Sequence, residues 1–405
     1  MTSGHRLLLL LPFAPRLDAV HGGGRVIAQF LSEIAYRYEV AVLYLRSPDE
    51  PPIDEYFRDR CALVQEALRP SNGKSFPLRI LRGVRLISAL AQLQPMWVSD
   101  WASKSYFNKA RSIAQEYQPD IVQAEFHVMG QYLSALDECD APRVLIEHEP
   151  GTRAVTYLRN VPLGLRSLID WLETLAWKRY ETRVFRRVDA IVAFTEADRE
   201  AIEQISGKTP VFTIPPGIVI PDHPLDPLGQ LPQSLLFIGN FIHPPNAEAA
   251  LRLIRNIFPP IQHCIPEIKV YIVGDQPPPE VRRLAGENIV VTGRVPDVSP
   301  YLDRAALFVA PMQSGGGIRI KVMEALAAGK AVVATPLAVE GLPLVDGKEI
   351  SIANRDDELA GRILDLLAHP DKRKAIARNG RAWVCDNLSW EKTIQSYEAL
   401  YTSLQ

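Results

Sequence analysis

Hydrophobic positions along the chain fall into two patterns that alternate. Short, continuous apolar runs recur at Arg6–Phe13, Val40–Leu45, Asp120–Ala124, Arg143–Glu147 and Ala190–Phe194. Runs of this length, without in-and-out alternation, predict strands buried on both faces, as in a parallel sheet. Between several of them the apolar residues take helical spacing, over Arg25–Tyr38 and over Trp171–Arg187, where Leu172, Leu175, Ala176, Val184 and Val188 recur. The same succession returns further on, with strands predicted at Ser234–Gly239, Lys269–Val273, Ile289–Val291, Leu307–Ala310 and Ala331–Ala334. The stretch 215–233 holds Pro215, Pro216, Pro221, Pro224, Pro227 and Pro232, a composition that reads as a linker.

Two series of alternating strands and helices joined by a linker predict an α/β protein. Its expected form is two Rossmann-like, doubly wound domains, 1–214 and 234–388, facing each other across a cleft. Ligands are then expected at the carboxyl ends of the strands. The length of 405 residues suits two domains with a core each. A composition of 47% hydrophobic and 23% charged residues is that of a globular chain, and a net charge of −2 gives no electrostatic case for nucleic acid. Cys61, Cys139, Cys264 and Cys385 lie far apart with no CxxC pair, which fits neither a disulfide framework nor a zinc site. A cytoplasmic setting is the expectation. The leucines from Leu7 to Leu11 are cut short by Pro12 and read as a buried strand rather than a signal peptide. No stretch approaches the roughly 20 apolar residues of a membrane span.

The richest chemistry lies in Ala310–Thr335. A predicted strand runs into Ser314, Gly315, Gly316 and Gly317; a helix pattern follows to about Ala328, and Gly329 is placed to cap it. A glycine turn ahead of a helix lets backbone N–H groups approach a phosphate, which the helix dipole also favours. Arg319 and Lys321 stand in or near the first turn, where cations oppose the dipole unless an anion lies nearby. A tight turn with two solvated cations is the plainer reading; the glycines, the cations and Glu324 together favour phosphate.

This segment resembles the signature of retaining glycosyltransferases of the two-domain GT-B type. In that signature two glutamates stand eight residues apart, followed by an alanine-rich turn, a glycine and a valine-rich strand. Glu324-Ala325-Leu326-Ala327-Ala328-Gly329 and Val332-Val333-Ala334-Thr335 match the second part. The resemblance implies that Glu324 binds the ribose hydroxyls of a nucleotide-sugar donor. The first glutamate would fall at 316, which here is Gly316, in a pattern similar to a GGG-x-R-x-K subgroup. Gly293, Arg294 and Val295 are similar to a turn lying against the donor base. In Leu236–Asn246, His243 and Asn246 stand where many members carry cations for the diphosphate. The helix around Trp390, in 389–405, resembles one that crosses back to the N-terminal domain, with Trp390 as packing.

In the first half, His21, Gly22, Gly23 and Gly24 resemble a glycine turn that meets donor phosphate or acceptor, and they match no Walker loop. His127 and His148 each follow a predicted strand, at carboxyl ends where a cleft is expected. His127 is the candidate catalytic histidine, with Arg319 and Lys321 as the cations that act on the leaving group; His148 is placed on the acceptor side. From Ala67 to Ser99 no acid occurs, while Arg69, Lys74, Arg79, Arg82 and Arg85 are basic and Trp97 and Trp101 follow. That segment fits peripheral contact with an anionic membrane, at the inner face, no better than it fits a solvated helix face. No metal site is legible and no cofactor is expected.

These readings converge on an enzyme that moves a sugar from a nucleoside diphosphate sugar to an acceptor hydroxyl, on a glycan or lipid-linked saccharide, as in polysaccharide biosynthesis. The resemblance implies retention at the anomeric carbon, without a divalent metal. Two alternatives stand beside it: a sugar-nucleotide epimerase of the same fold, and, given Gly316, a catalytically silent partner subunit.

Overall fold

A computed structural model describes residues 4–19, 22–69, 76–149 and 163–405. The chain forms two compact domains. One comprises residues 1–19, 23–215 and 394–405; the other comprises 20–22 and 216–393.

Among the described residues the first domain is built on a seven-stranded parallel sheet in the order β3-β2-β1-β4-β5-β6-β7. The strands are β1 (Arg6–Leu11), β2 (Glu39–Arg46), β3 (Leu63–Leu68), β4 (Ile121–Glu125), β5 (Arg143–Glu147), β6 (Ala190–Ala193) and β7 (Val211–Thr213). Their partners run in the same direction throughout, for example Leu7 with Val40 and Ile121. The helices used below are α1 (Gly22–Ile34), α2 (Phe76–Ala91), α3 (Lys104–Tyr117) and α4 (Leu163–Phe185). Leu7 to Leu11 are wholly buried, which is why that run carries no polar alternation.

In the second domain six parallel strands take the order β10-β9-β8-β11-β12-β13. They are β8 (Leu231–Ile238), β9 (Lys269–Val273), β10 (Ile289–Gly293), β11 (Ala305–Ala310), β12 (Val332–Ala334) and β13 (Ser351–Ile352). After β8 comes α5 (Pro244–Arg252), and after β11 comes α6 (Ile320–Ala327). In both sheets the order reverses direction beside the first strand, so loops diverge at the carboxyl ends of β1 and β4, and of β8 and β11, leaving room for a ligand. A last helix, α7 (Trp390–Leu404), begins in the second domain, and its residues from Ile394 belong to the first.

The basic segment before Ser99 differs from its expected role. Arg82 and Arg85 on α2 both bind the carboxylate of Asp100, Arg82 through Nε at 2.9 Å and Arg85 through Nη2 at 2.5 Å. Arg69 pairs with Glu50 and lies 4.6 Å over the ring of Trp101. Three of the five cations are therefore spent on internal partners that lie outside the acid-free window. Lys74 and the side chain of Arg79 lie outside the described residues.

Candidate active site

At the carboxyl end of β8 the chain turns through Gly239 and enters α5; at the end of β11 it passes the glycine loop and enters α6. The two strands are neighbours, so both helices begin at one corner of the sheet. Neither N-terminus has a side-chain cap, His243 preceding α5 and Arg319 preceding α6. α5 opens with Pro244 and Pro245, which carry no N–H, and the Asn246 N–H donates to the His243 carbonyl at 3.0 Å, so the backbone N–H groups that can face an anion at this corner are those at the start of α6. Close packing holds the turns in place. Gly274, with φ +145°, lies so near Gly239 that a Cβ there would come within 1.8 Å of the Gly239 carbonyl oxygen.

The two cations have different surroundings. Arg319 is buried, and its guanidinium donates to the carbonyls of Gly315 at 2.8 Å, Gly317 at 2.7 Å and also Gly316. It braces the loop, turning carbonyls inward. Gly315 and Gly317 have φ of +100° and +69°, a backbone that side chains rarely adopt. Lys321, half-buried, reaches toward α5: its ammonium donates to Asn246 Oδ1 and lies 4.9 Å over the ring of Phe237. Asn246 is itself oriented, because its Nδ2 donates to the Asn240 carbonyl at 2.6 Å. Glu324 follows Lys321 by three residues, which places both on one face of α6. Ser314 donates to Glu248 Oε2 at 2.6 Å and ties the glycine loop to α5.

His243 reports the field at this corner. Desolvation lowers its pKa, and the charges of Arg319 and Lys321 lower it further, so the neutral imidazole is favoured. The same field favours an anion. Gly293 ends β10 with φ +73° and its carbonyl accepts from Gly274 N–H at 3.1 Å; Arg294 is exposed and Val295 half-buried beyond it. β10 lies two strands from β8, about 10 Å along the sheet edge.

The first-domain candidates form a group of their own. Glu125 ends β4, Glu147 ends β5, and each holds the histidine that follows the other strand. His148 Nε2 lies 2.7 Å from Glu125 Oε2, and His127 Nδ1 lies 3.1 Å from Glu147 Oε2. The imidazole of His148 stacks on Phe126 with centroids 3.7 Å apart, while Gly23 in the first turn of α1 leaves room for both rings. A Cβ on Gly23 would fall 2.5 Å from the Phe126 ring and 3.4 Å from His148 Nδ1. Gly22 opens α1 and Gly24 is buried behind it. Glu125 is part of a longer chain: Gln123 Nε2 donates to Glu125 Oε1 at 2.6 Å, and the Tyr401 hydroxyl donates to Gln123 Oε1.

The catalytic position expected for His127 is corrected by its surroundings. The residue is 1% exposed and boxed by Trp97 and Trp177, with ring centroids at 5.0 and 4.7 Å. Phe126, with φ +69°, swings the chain so that His127 turns into the core while Phe126 turns to the His148 side. Burial alone would lower the His127 pKa, but Glu147, and then Glu181 and Glu149, outweigh it and hold it above the ordinary value. His127 is a structural ion-pair partner. Gln123 and Tyr401 escaped the sequence reading, although a glutamine inside a fully buried strand is a signal that a polar network passes there.

Among the described residues the corner at β8 and β11 thus joins the start of α6 to one braced and one reaching cation on a doubly wound sheet. Residues 20–220 match the family described as Glycosyltransferase Family 4, and residues 232–369 match the one described as Glycosyl transferases group 1. Sucrose-phosphate synthase from Thermosynechococcus elongatus has the same fold, with a TM-score of 0.69 at 16% identity over 99% of both chains. Anabaena HepE, solved with UDP and glucose, gives 0.69 at 14% identity over 98% of this chain and 100% of that one. Among curated relatives, a GDP-mannose-dependent alpha-(1-6)-phosphatidylinositol monomannoside mannosyltransferase of Mycolicibacterium smegmatis is 29% identical over 154 residues, 34% of this chain and 40% of that protein. An uncharacterized protein of the cps region of Klebsiella pneumoniae is 23% identical over 172 residues, 40% of this chain and 44% of that protein. The chain spans less than half the length of these curated relatives. With both halves matched, the chain belongs to the GT-B glycosyltransferases.

Proposed function

We propose that the protein transfers a sugar from a nucleoside diphosphate sugar to a hydroxyl of a glycan or lipid-linked saccharide, with retention at the anomeric carbon. The observation that carries this reading is the corner where α6 begins, uncapped, beside Lys321 and the Arg319-braced glycine loop. A leaving diphosphate gains negative charge as the glycosidic bond to it breaks. N–H groups and an ammonium fixed beforehand stabilise that charge without having to reorganise. The charge is met by the chain's own groups, so the reading uses no divalent ion. Glu324, on the same face as Lys321, accepts from the ribose hydroxyls, and Gly293 to Val295 lie along the sheet edge toward the base. His148, held by Glu125, is the acceptor-side group. Relatives with named activities are sugar transferases, which favours transfer over epimerisation.

Titration calorimetry with nucleoside diphosphates and their sugars tests the donor site. Glu324→Gln should weaken both classes of ligand, because a carboxylate is the stronger acceptor for two hydroxyls, while circular dichroism stays unchanged. Equal affinities in the variant and the parent would remove Glu324 from the site. Conversion of donor without acceptor would return the reading to an epimerase, and donor binding without turnover over a broad acceptor panel would make the chain a silent partner.

A further inference from the structure

With Arg69, Arg82 and Arg85 engaged internally, a cluster of exposed cations among the described residues of the first domain lies on α4 and the two residues after it. At about 100° per residue, Trp171, Leu175, Lys178, Arg179, Arg183 and Arg186 share one stripe of the helix. All are exposed; Trp171 is 61% and Leu175 39% accessible. From Leu175 to Arg187 the side chains line a shallow concavity. The acids of this helix do not answer that charge. Glu173 and Glu181 are buried on the opposite side, where Glu173 accepts from Met96 N–H at 3.0 Å, and Asp170 is half-buried. Arg187 pairs with Asp137 at 3.0 Å, and Arg183 lies 5.6 Å over Tyr180, but no described carboxylate pairs with Lys178, Arg179 or Arg186.

We infer that this face of α4 rests on an anionic phospholipid surface, with Trp171 and Leu175 at the interface and the cations over the headgroups. A purely polyanionic ligand would account for the arginines, yet it would leave the exposed tryptophan and leucine beside them unused. A helix with cations and an indole on one face fits the lipid boundary, where the ring lies at headgroup level and long basic side chains reach phosphate. The proposal rests on the transferase reading for its purpose: it keeps the chain where a lipid-linked acceptor is found.

Flotation of the full chain with vesicles tests it. The protein should float with vesicles containing phosphatidylglycerol, not with phosphatidylcholine alone, and raised salt should release it. Lys178→Gln, Arg179→Gln and Arg186→Gln together should lower partitioning roughly a hundredfold, each cation contributing roughly fivefold near an anionic surface. Trp171→Ala should also lower it at low salt, where the parent is bound, because the indole leaves the interface. Equal flotation on both vesicle types, a triple variant that floats like the parent, or binding to dextran sulfate without binding to vesicles would overturn the proposal. Donor affinity by calorimetry is read in the same proteins. Its absence in the parent would count against the transferase reading, whereas its persistence in a triple variant that still floats would count against the surface alone.

Discussion

The contrast between Arg319 and Lys321 yields the sharpest prediction, because two cations two residues apart should fail in different ways. Arg319 donates to three successive carbonyls from a buried position. Hydrogen bonds to a charged group contribute about 1.5–3 kcal/mol each. The glycine loop is half-exposed, so released carbonyls regain water, and removing a buried guanidinium also returns part of its desolvation cost. Arg319→Ala should therefore destabilise the fold by about 2–4 kcal/mol in total. Arg319→Lys should recover only part, since one ammonium cannot reproduce the fork. Lys321→Ala loses one partner amide and one ring contact at a half-buried position, and its stability cost should stay near about 1 kcal/mol. Its turnover should instead fall by about 2–4 kcal/mol in barrier, with little change in KM, because charge on the leaving diphosphate grows toward the transition state. Urea unfolding and steady-state kinetics of both variants decide the matter. An Arg319→Ala protein that unfolds like the parent yet loses turnover would show that this guanidinium reaches substrate. Normal turnover in Lys321→Ala would end the diphosphate assignment.

Other outcomes follow from the first domain and from the close packing behind the loops. Glu125→Gln should preserve the fold and donor affinity while lowering turnover about tenfold, about 1.4 kcal/mol, through loss of the partner that orients His148; unchanged kinetics would remove His148 from the reaction. His127 has a raised pKa in the folded protein, so its contribution to stability is complete below the ordinary value of 6.5 and is lost as pH rises through the folded value. His127→Gln should flatten that part of the stability–pH curve measured by denaturant titration. Gly274→Ala puts a Cβ against the Gly239 carbonyl at positive φ, and should cost at least about 3 kcal/mol in thermal unfolding.

The sheets were legible where strands are buried on both faces. Arg143–Glu147 and Lys269–Val273 match the structure residue for residue, since the apolar run and the strand coincide. Three of the four edge strands escaped, β10 being the exception: β3 reads Leu-Val-Gln-Glu-Ala-Leu, half-buried and mixed, and β7 and β13 have only three and two residues. The proline-rich stretch read as a linker to 233, yet β8 starts at Leu231 and pairs with β9 only from Ser234, so its first residues tolerate a missing N–H donor. At the site, glycines and cations show themselves by spacing. What spacing does not tell is which way a side chain turns after a strand ends. The positive φ of Phe126 decides that for His127, and it depends on rings from Trp97 and Trp177 far away in sequence. Pairing of Arg82 and Arg85 with Asp100 escaped for the same reason.

The division of α7 between two domains bears on the order in which the chain matures during synthesis. Tyr397 and Tyr401 are buried in the first domain, Phe30 packs 4.9 Å from Tyr397, and Arg37 pairs with Glu398 at 3.1 Å. The core under β4 stays open along that side until residues 394–405 have left the ribosome. The second domain, contiguous from 216 to 393 apart from three residues, has nearly its whole sequence available earlier. Vectorial folding, which ordinarily favours the domain translated first, is thus inverted. A released chain truncated after residue 393 should hold a first domain more open to protease than its second.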